Sequence, residues 1–421
     1  MAAAQSLGAP EVAVLGGGFG GLYTALRLCE LDWPGCAAPR VTLVDRNECF
    51  SFSPMLYELA TGDVSAWEVA PRYADILSGT DIQFVQGDVR SLDAEGRLVG
   101  VAPTGGGTEQ LLPYDRCVLA LGGEPVVGSV PGSLEHALRF HSADDALALR
   151  RRLAELRAGN GGALRIAVVG GGYIGVELAA NLASGLGGDE AQITMVQRGA
   201  DLLPAATEFA RTAARHRLLD AGIELMLETA VESVSPGTLT LQAATTDADN
   251  AAAGEARELR ADLVLWTAGS RPSPLAAGLG VPTDARGRVV TDQLLRVKGM
   301  PNLYALGDGA ATTDAGGVSA PPTAQAAMQQ ANYVGWNMRA DLRGQRGLSW
   351  RYADLGEMVS LGGDEAAVSA LGLLKLKGPL ASASRRAVYA ARMPTPKQAA
   401  KVGASWAVDQ LVQALRRRQG G

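Results

Sequence analysis

The sequence predicts an α/β protein built on two strand–turn–helix units of one design, with a basic segment at its C-terminal end. Three observations predict it. An apolar strand near the start, Val12 to Leu15, runs into a glycine turn and an amphipathic helix; the same order returns from Leu164; and two later apolar strands end in Thr267-Ala268-Gly269 and Gly307-Asp308. Strands that alternate with helical patterns in this way form parallel sheets.

At 421 residues and 47% apolar, the chain is long enough for two or three structural units. Charged residues make up 19% and no long block of one sign interrupts the first 370 positions, a profile that argues against a disordered or nucleic-acid-wrapping chain. Cys29, Cys36, Cys49 and Cys117 form no C-x-x-C or C-x-x-x-x-C pair, so a disulfide framework, a zinc knuckle and a dithiol redox centre are all poorly supported, and a reducing compartment is expected. His136, His141 and His216 are the only histidines and none lies in a motif, so neither a His-based triad nor a metal site is expected. No stretch reaches the roughly 18 apolar residues of a spanning helix, and any membrane contact should be peripheral. The residues before Glu11 are too few for a signal or transit peptide, so the chain is expected to be cytosolic-side or a mature form.

The first unit is EVAVLGGGFGGLYTALRL, with Gly16-x-Gly18-x-x-Gly21 between strand and helix. Gly16 lets the chain turn sharply, Gly18 lets backbone approach a pyrophosphate without a Cβ in the way, and Gly21 lets the helix close on the strand. The next strand, VTLVD, ends in Asp45, ~20 to 30 residues past the glycines, where a carboxylate accepts from both ribose hydroxyls of a dinucleotide. These parts in this order make a Rossmann-like dinucleotide-binding domain.

The second unit, LRIAVVGGGYIGVELAANLA, carries Gly170-x-Gly172-x-x-Gly175 and then Glu177 on the helix. Its second strand ends in Gln197 and Arg198 instead of an acid. Nothing there repels a 2′-phosphate and Arg198 is placed to pair with one, so NADPH is expected as co-substrate alongside NADH; the alternative is that Arg198 is a solvated cation and Gln197 serves both. Two cradles in one chain are expected to hold two nucleotides for hydride transfer between a nicotinamide and a flavin.

PNLYALGDGA, CVLALGG (Cys117 to Gly123) and GDV (Gly87 to Val89), taken with the two glycine motifs, resemble the ordered motifs of the pyridine nucleotide-disulfide reductase superfamily. That resemblance implies a glutathione-reductase-like fold and FAD on the first cradle. In place of a dithiol, NECFSFSPMLYELATG has the single Cys49 and resembles the flavin-flanking loop of type II NAD(P)H:quinone oxidoreductases through Pro54, Leu56-Tyr57 and Ala60-Thr61-Gly62. Ala324-Gln325-x-Ala327-x-Gln329-Gln330 resembles that family's quinone-pocket motif, with Met328 where several mitochondrial relatives carry His. GDVSAWEVAPRYADIL, GGGYIGVE and RAVYAARMPTPKQ are similar to its plastid and cyanobacterial branch, the demethylphylloquinone reductases.

The FAD-binding residues expected from the cradle and the resemblance are Gly16, Gly18, Phe19, Gly20, Gly21, Asp45, Arg46, Pro54, Leu56, Val89, Gly122, Asp308 and Gln325. For NAD(P)H they are Gly170, Gly172, Tyr173, Ile174, Gly175, Glu177, Gln197, Arg198 and Gly269. The resemblance also gives Glu177, in the first helical turn, a place near the nicotinamide carboxamide, and gives Gln325 and Gln329, one turn apart, a place at the quinone headgroup. The blander alternatives are a dipole-stabilised acid worth ~0.3 to 1 kcal/mol at Glu177, a helix cap at Asp308 and structural glutamine hydrogen bonds at 325 and 329.

Residues 371 to 421 hold ten Lys or Arg against Asp409 alone, giving +9 and leaving −15 for the rest. LGLLKLKGPL alternates apolar residues with Lys, and Lys397 to Arg418 forms a helix with Val402, Trp406, Val408, Leu411, Val412 and Leu415 on one broad side. Such a helix is expected to lie on a membrane surface, Trp406 at headgroup depth; the alternative is a packing or dimer helix.

The implied activity is FAD-dependent reduction of a membrane quinone, demethylphylloquinone or a related demethylnaphthoquinone or plastoquinone, at a thylakoid or plastoglobule of a chloroplast or the thylakoid of a cyanobacterium, with no nucleic-acid partner and a homodimer as a candidate assembly. A soluble reductase of ferredoxin or rubredoxin and a flavin redox sensor are the alternatives. The expected domains are FAD-binding from 10–130 and 285–335, NAD(P)H-binding from 131–284, and a C-terminal cap from 336–421, with Thr245 to Glu258 as a hairpin tip.

Overall fold

The computed structural model describes residues 8–159, 162–244 and 256–419, and the side chains of 409–419 lie outside that description. The chain forms two compact units: one from residues up to Phe50, Pro71–Glu124 and Arg271–Ala353, the other from Ser51–Ala70, Pro125–Ser270 and Asp354 onward. The expected cap boundary at 336 falls inside the helix Ala324–Leu342, so the C-terminal segment of the second unit begins at Asp354.

The first unit is an eight-stranded sheet. Its parallel core runs Met300–Ala305, Arg116–Leu119, Glu11–Leu15, Arg40–Asp45, Gln83–Asp93, flanked by antiparallel strands at both edges. The strand Glu11–Leu15 has neighbours on both sides and is buried from Val12 to Leu15, which explains its continuous apolar run. Its C-terminal end is the point where strand order reverses, the place where open α/β sheets bind ligands. The core beneath gathers Leu15, Val44, Cys117, Leu119 and Leu303.

The second unit contains a fully parallel five-stranded sheet, ordered Glu224–Met226, Ala191–Val196, Leu164–Val169, Leu263–Trp266, Leu138–Arg139. An antiparallel sheet of Thr229–Ser235, Thr238–Ala243 and Arg257–Arg260 packs into the same core through Val234, Leu239 and Leu241. The expected hairpin tip falls between the last two of these strands, and its residues 245–255 lie outside the described residues. The C-terminal part is a three-stranded antiparallel sheet, Gly356–Ser360, Ala366–Ala370 and Leu374–Lys377, followed by helices Pro379–Ala391 and Pro396–Gln419.

The last helix corrects one expectation. Val402 and Trp406, one turn apart, are buried at 0% and 4% exposure, so this face is covered by protein and Trp406 is not available to a headgroup layer. Lys401 stacks over Trp67 at 4.3 Å and Gln398 donates to the Trp67 carbonyl at 3.1 Å, which ties the start of the helix to the segment Ser51–Ala70. Leu411, Val412 and Leu415 lie among the side chains outside the description. Val408, on the same helix, is 58% exposed, and further exposed apolar residues of this segment include Leu371, Leu373, Leu374 and Leu380.

Both glycine turns close by backbone lying on backbone. A Cβ at Gly21 would overlap the carbonyl oxygen of Gly16, and one at Gly18 would meet nothing within 4 Å. Gly21→Ala is therefore expected to lower unfolding stability by about 2–3 kcal/mol, while Gly18→Ala stays within about 1 kcal/mol. Equal losses in denaturant melts of the two variants would contradict this account.

Candidate functional site

The first cradle is formed where the strand Glu11–Leu15 turns into the helix Phe19–Glu30. Gly16 turns at φ +100°, a conformation a side chain disfavours, and its missing Cβ clears the Ala120 carbonyl. Gly20 sits tightly on Leu306 and Phe19 packs edge-on against Phe50 at 5.2 Å. Asp45, at the end of Arg40–Asp45, accepts the Gly17 amide at 2.6 Å on one oxygen and the backbone and side-chain amides of Asn47 at 2.8 and 3.0 Å on the other. A carboxylate has about four acceptor sites and three are taken, so capacity remains for one ribose hydroxyl. Arg46 is exposed and loosely paired with Asp88 and Glu124.

Tyr73 is a component that sequence reasoning missed. Its hydroxyl donates to the Gly17 carbonyl at 2.8 Å, its ring stacks on Phe84, and a Cβ at Gly17 would strike it. No periodicity marks such a contact; the one signal was its place inside the string Gly62 to Leu77.

Val89 lies on the strand Gln83–Asp93 opposite Val101, and Gly122 turns at φ +65° with open space at its Cβ direction. Asp308 is exposed beside Gly307, which turns at φ +74°. The next helix begins only at Ala324 with Thr323 as its cap, so Asp308 caps no helix. The Gly307 turn is held by Gln330, which is fully buried; its Oε1 accepts the Gly307 amide at 2.7 Å and its Nε2 donates to Thr312 Oγ1 at 2.7 Å. Gln329, one position earlier, exchanges both ends of its amide with the backbone of Ala353 at 2.8 and 2.9 Å. Gln325 accepts from the Tyr352 hydroxyl at 3.2 Å, so both glutamines face the segment Tyr352-Ala353.

The second cradle repeats the first in its own unit. Gly170 turns at φ +114°, a Cβ at Gly175 would overlap the Gly170 carbonyl, and Gly172 opens on free space. Gln197 Oε1 accepts the Gly171 amide at 3.0 Å, the bond that Asp45 makes to Gly17. A neutral amide thus replaces a carboxylate at the same mechanical task. Arg198 is exposed, whereas Arg215 and Arg211 are drawn to Asp201, whose carboxyl is held below its ordinary range first by the Arg215 hydrogen bond. Thr267 donates toward the Val169 and Gly170 carbonyls at 2.9 and 3.1 Å, and Gly269 turns at φ +75° against Val126. Tyr173 donates to Glu357, which also accepts from Thr207, and Ile174 is 39% exposed. Pro54, in the short helix Ser53–Met55, and the buried Leu56 belong to this unit too.

The helix carrying Glu177 starts at Tyr173, so Glu177 lies past the first turn, a correction to its expected position at the dipole end. It is 7% exposed, and burial pushes its carboxyl up to about 8, against the opposing pull of the Ser360 amide, Arg385 and the Tyr57 hydroxyl. A dipole-stabilised surface acid would move the other way. Among the described residues no cluster of His, Cys, Asp and Glu is placed to hold a metal ion.

Each turn offers what a dinucleotide pyrophosphate requires: an open glycine, a helix start and a side chain that fixes the turn amide. The model of the family described as pyridine nucleotide-disulphide oxidoreductase matches residues 10–331. The chain belongs to that family. It is 41% identical to the demethylphylloquinone reductase of Synechocystis, over 94% of this chain and 95% of that protein. It is 39% identical to the alternative NAD(P)H-ubiquinone oxidoreductase C1 of Arabidopsis thaliana, over 96% and 82%. These relatives bear out the resemblance to the type II NAD(P)H:quinone oxidoreductases and to their plastid and cyanobacterial branch. The NDH2 of Plasmodium falciparum, solved in complex with NADH, shares the fold with a TM-score of 0.80 at 19% identity, over 93% of this chain and 96% of that one.

The position of Glu177 carries a stability consequence. The folded protein holds its proton more tightly than an exposed carboxyl at 4.5 does, so the contribution is complete below about 4.5 and is lost as pH climbs to about 8. Glu177→Gln keeps the acceptor oxygen and cannot ionise. Its stability relative to the parent is expected to rise by roughly 1 kcal/mol or more across that window and then level off. Parallel curves in denaturant unfolding from about pH 5 to 8 would remove the assignment.

Proposed function

We propose that the chain is an FAD-dependent NAD(P)H:quinone oxidoreductase whose acceptor is a membrane quinone, a demethylnaphthoquinone such as demethylphylloquinone, or plastoquinone. One observation carries the reading: two glycine turns of the same build, one ended by Asp45 and the other by Gln197, in a chain 41% identical to a demethylphylloquinone reductase. FAD would be held by the Gly16 to Gly21 turn, Asp45, Gly122 and Asp308, and when bound it supplies the two-electron chemistry that joins a hydride donor to a quinone. The Gly170 to Gly175 turn, with Gln197, Arg198 and Gly269, would hold NAD(P)H. Glu177 would meet the nicotinamide carboxamide, and Gln325 the quinone headgroup, with Gln329 fixing the segment behind it. Anaerobic mixing with each nicotinamide should bleach the flavin, and a naphthoquinone alone should restore its colour. A flavin that neither NADH nor NADPH bleaches would end the proposal. In the same assay Arg198→Ala should raise the KM for NADPH roughly tenfold and leave NADH within about twofold. A shared change for both would make Arg198 a bystander.

The quinone implies a lipid source, and the segment from Leu371 to Leu380 supports peripheral docking at a thylakoid or plastoglobule surface. Leu373 is 91% exposed, and Leu371, Leu374 and Leu380 stand out beside Lys375 and Lys377. Apolar side chains ringed by cations favour an anionic bilayer surface. No described helix is long and apolar enough to cross a membrane. Leu371→Glu with Leu373→Glu should cut co-flotation with anionic vesicles about tenfold while soluble-quinone turnover is retained. Unchanged flotation would relocate the contact.

A further inference from the structure

Buried acids and arginines in the second unit form one line of hydrogen bonds outside the glycine turn. Glu58 and Arg385 are 2% and 1% exposed. Arg385 Nη2 donates to Glu58 Oε1, and Arg386 donates to Glu58 Oε2 at 3.1 Å. The other arm, Arg385 Nη1, donates to the Tyr57 oxygen at 3.0 Å, and the Tyr57 hydroxyl donates to Glu177 Oε1 at 3.3 Å. The Ser360 amide reaches the same Oε1 at 2.9 Å, and Ser360 is steadied by Asn181.

The direction of this line follows from its members. A guanidinium has donors only, so Arg385 must address a lone pair of the Tyr57 oxygen, and the hydroxyl proton is left to point at Glu177. With two donors on Oε1, the neutral acid carries its proton on Oε2. Burying such ions is seldom a route to stability, since a packed apolar group often does as well. A role in setting the state of Glu177 accounts for it.

We propose that Arg385 and Tyr57 are positioning residues for Glu177, fixing a one-way hydrogen-bond line that confines its exchangeable proton to Oε2 and sets the pH at which that proton leaves. The use of this proton in turnover rests on the quinone-reductase reading above; the geometry does not. The groups facing Glu177 are Tyr57 and Glu58 from the helix Leu56–Thr61, Arg385 and Tyr389 from Pro379–Ala391, and the Ser360 amide from Gly356–Ser360. Tyr173 on its own helix is tied to Glu357, Arg217 on the helix Glu208–Asp220 is tied to Leu361 and Ser184, and Arg165 on the adjoining strand to Asp262. Of these, Tyr57, Arg385 and the Ser360 amide favour the ionised acid, and Glu58 opposes it.

Tyr57→Phe keeps the ring and the Arg385–Glu58 pair while removing the link. The readout is the carboxylic-acid carbonyl band in pH-difference infrared spectra of the FAD-loaded full chain, assigned by its loss in Glu177→Gln. In the parent the band should titrate near 8, and in Tyr57→Phe the midpoint should move up by about one pH unit. The pH midpoint of flavin reduction by NAD(P)H should move with it. Arg385→Lys, which keeps the charge but cannot make both bonds, should shift both midpoints upward by less, and it serves as the second variant should Tyr57→Phe not fold. A folded Tyr57→Phe or Arg385→Lys protein that titrates at the parent's midpoint overturns the proposal. Absence of flavin bleaching in the parent would sink the quinone-reductase reading alone, because the infrared titration is decided without turnover.

Discussion

The structure depends on the contact of one peptide carbonyl with one helix. In each cradle the oxygen of the turning glycine, Gly16 or Gly170, lies where the Cβ of Gly21 or Gly175 would stand. Only the loss of that carbon lets the helix start against the strand end with its free amides facing outward. The side chain at the end of the next strand then pins the turn from the other side, through Asp45 in one unit and Gln197 in the other. This closure is made twice, once in each unit.

The two copies differ chiefly in charge. Asp45 places a negative group at the first turn, and Gln197 does the same mechanical work with none, while Arg198 stands exposed beside it. Mechanical and electrostatic roles of that position are thereby separable. The hydrogen bond to the second glycine's amide is made in both turns, and the charge is present in only one of them. Glu177 shows the opposite coupling, since its burial and its partners on three other elements govern its ionisation together.

The glycine turns, their strands and Asp45 were legible in the sequence because few residues substitute for glycine at such contacts and because the parts recur in order. The C-terminal helix was legible too, from Lys397 to Arg418 against an observed Pro396–Gln419, but its orientation was not. Periodicity locates an apolar face without saying what covers it, and Trp406 turned out to be buried in protein. Tyr73 and Gln330 were missed because a polar side chain bound to backbone leaves no pattern; Gln329 and Gln330 differ by one position and do unlike work. The pair Glu58 and Arg385 is 327 residues apart in the chain, and only folding brings it together.

The strand Leu374–Lys377 is one of the two edge strands of its three-stranded sheet. A bare edge of alternating leucines invites a neighbouring copy to add a strand of its own. Lys375 and Lys377, whose ammonium groups lie 5.6 and 5.1 Å from the Phe209 ring, guard that edge with charge. The molecule can thus display the leucines at its turn and still keep that edge from pairing with a second copy.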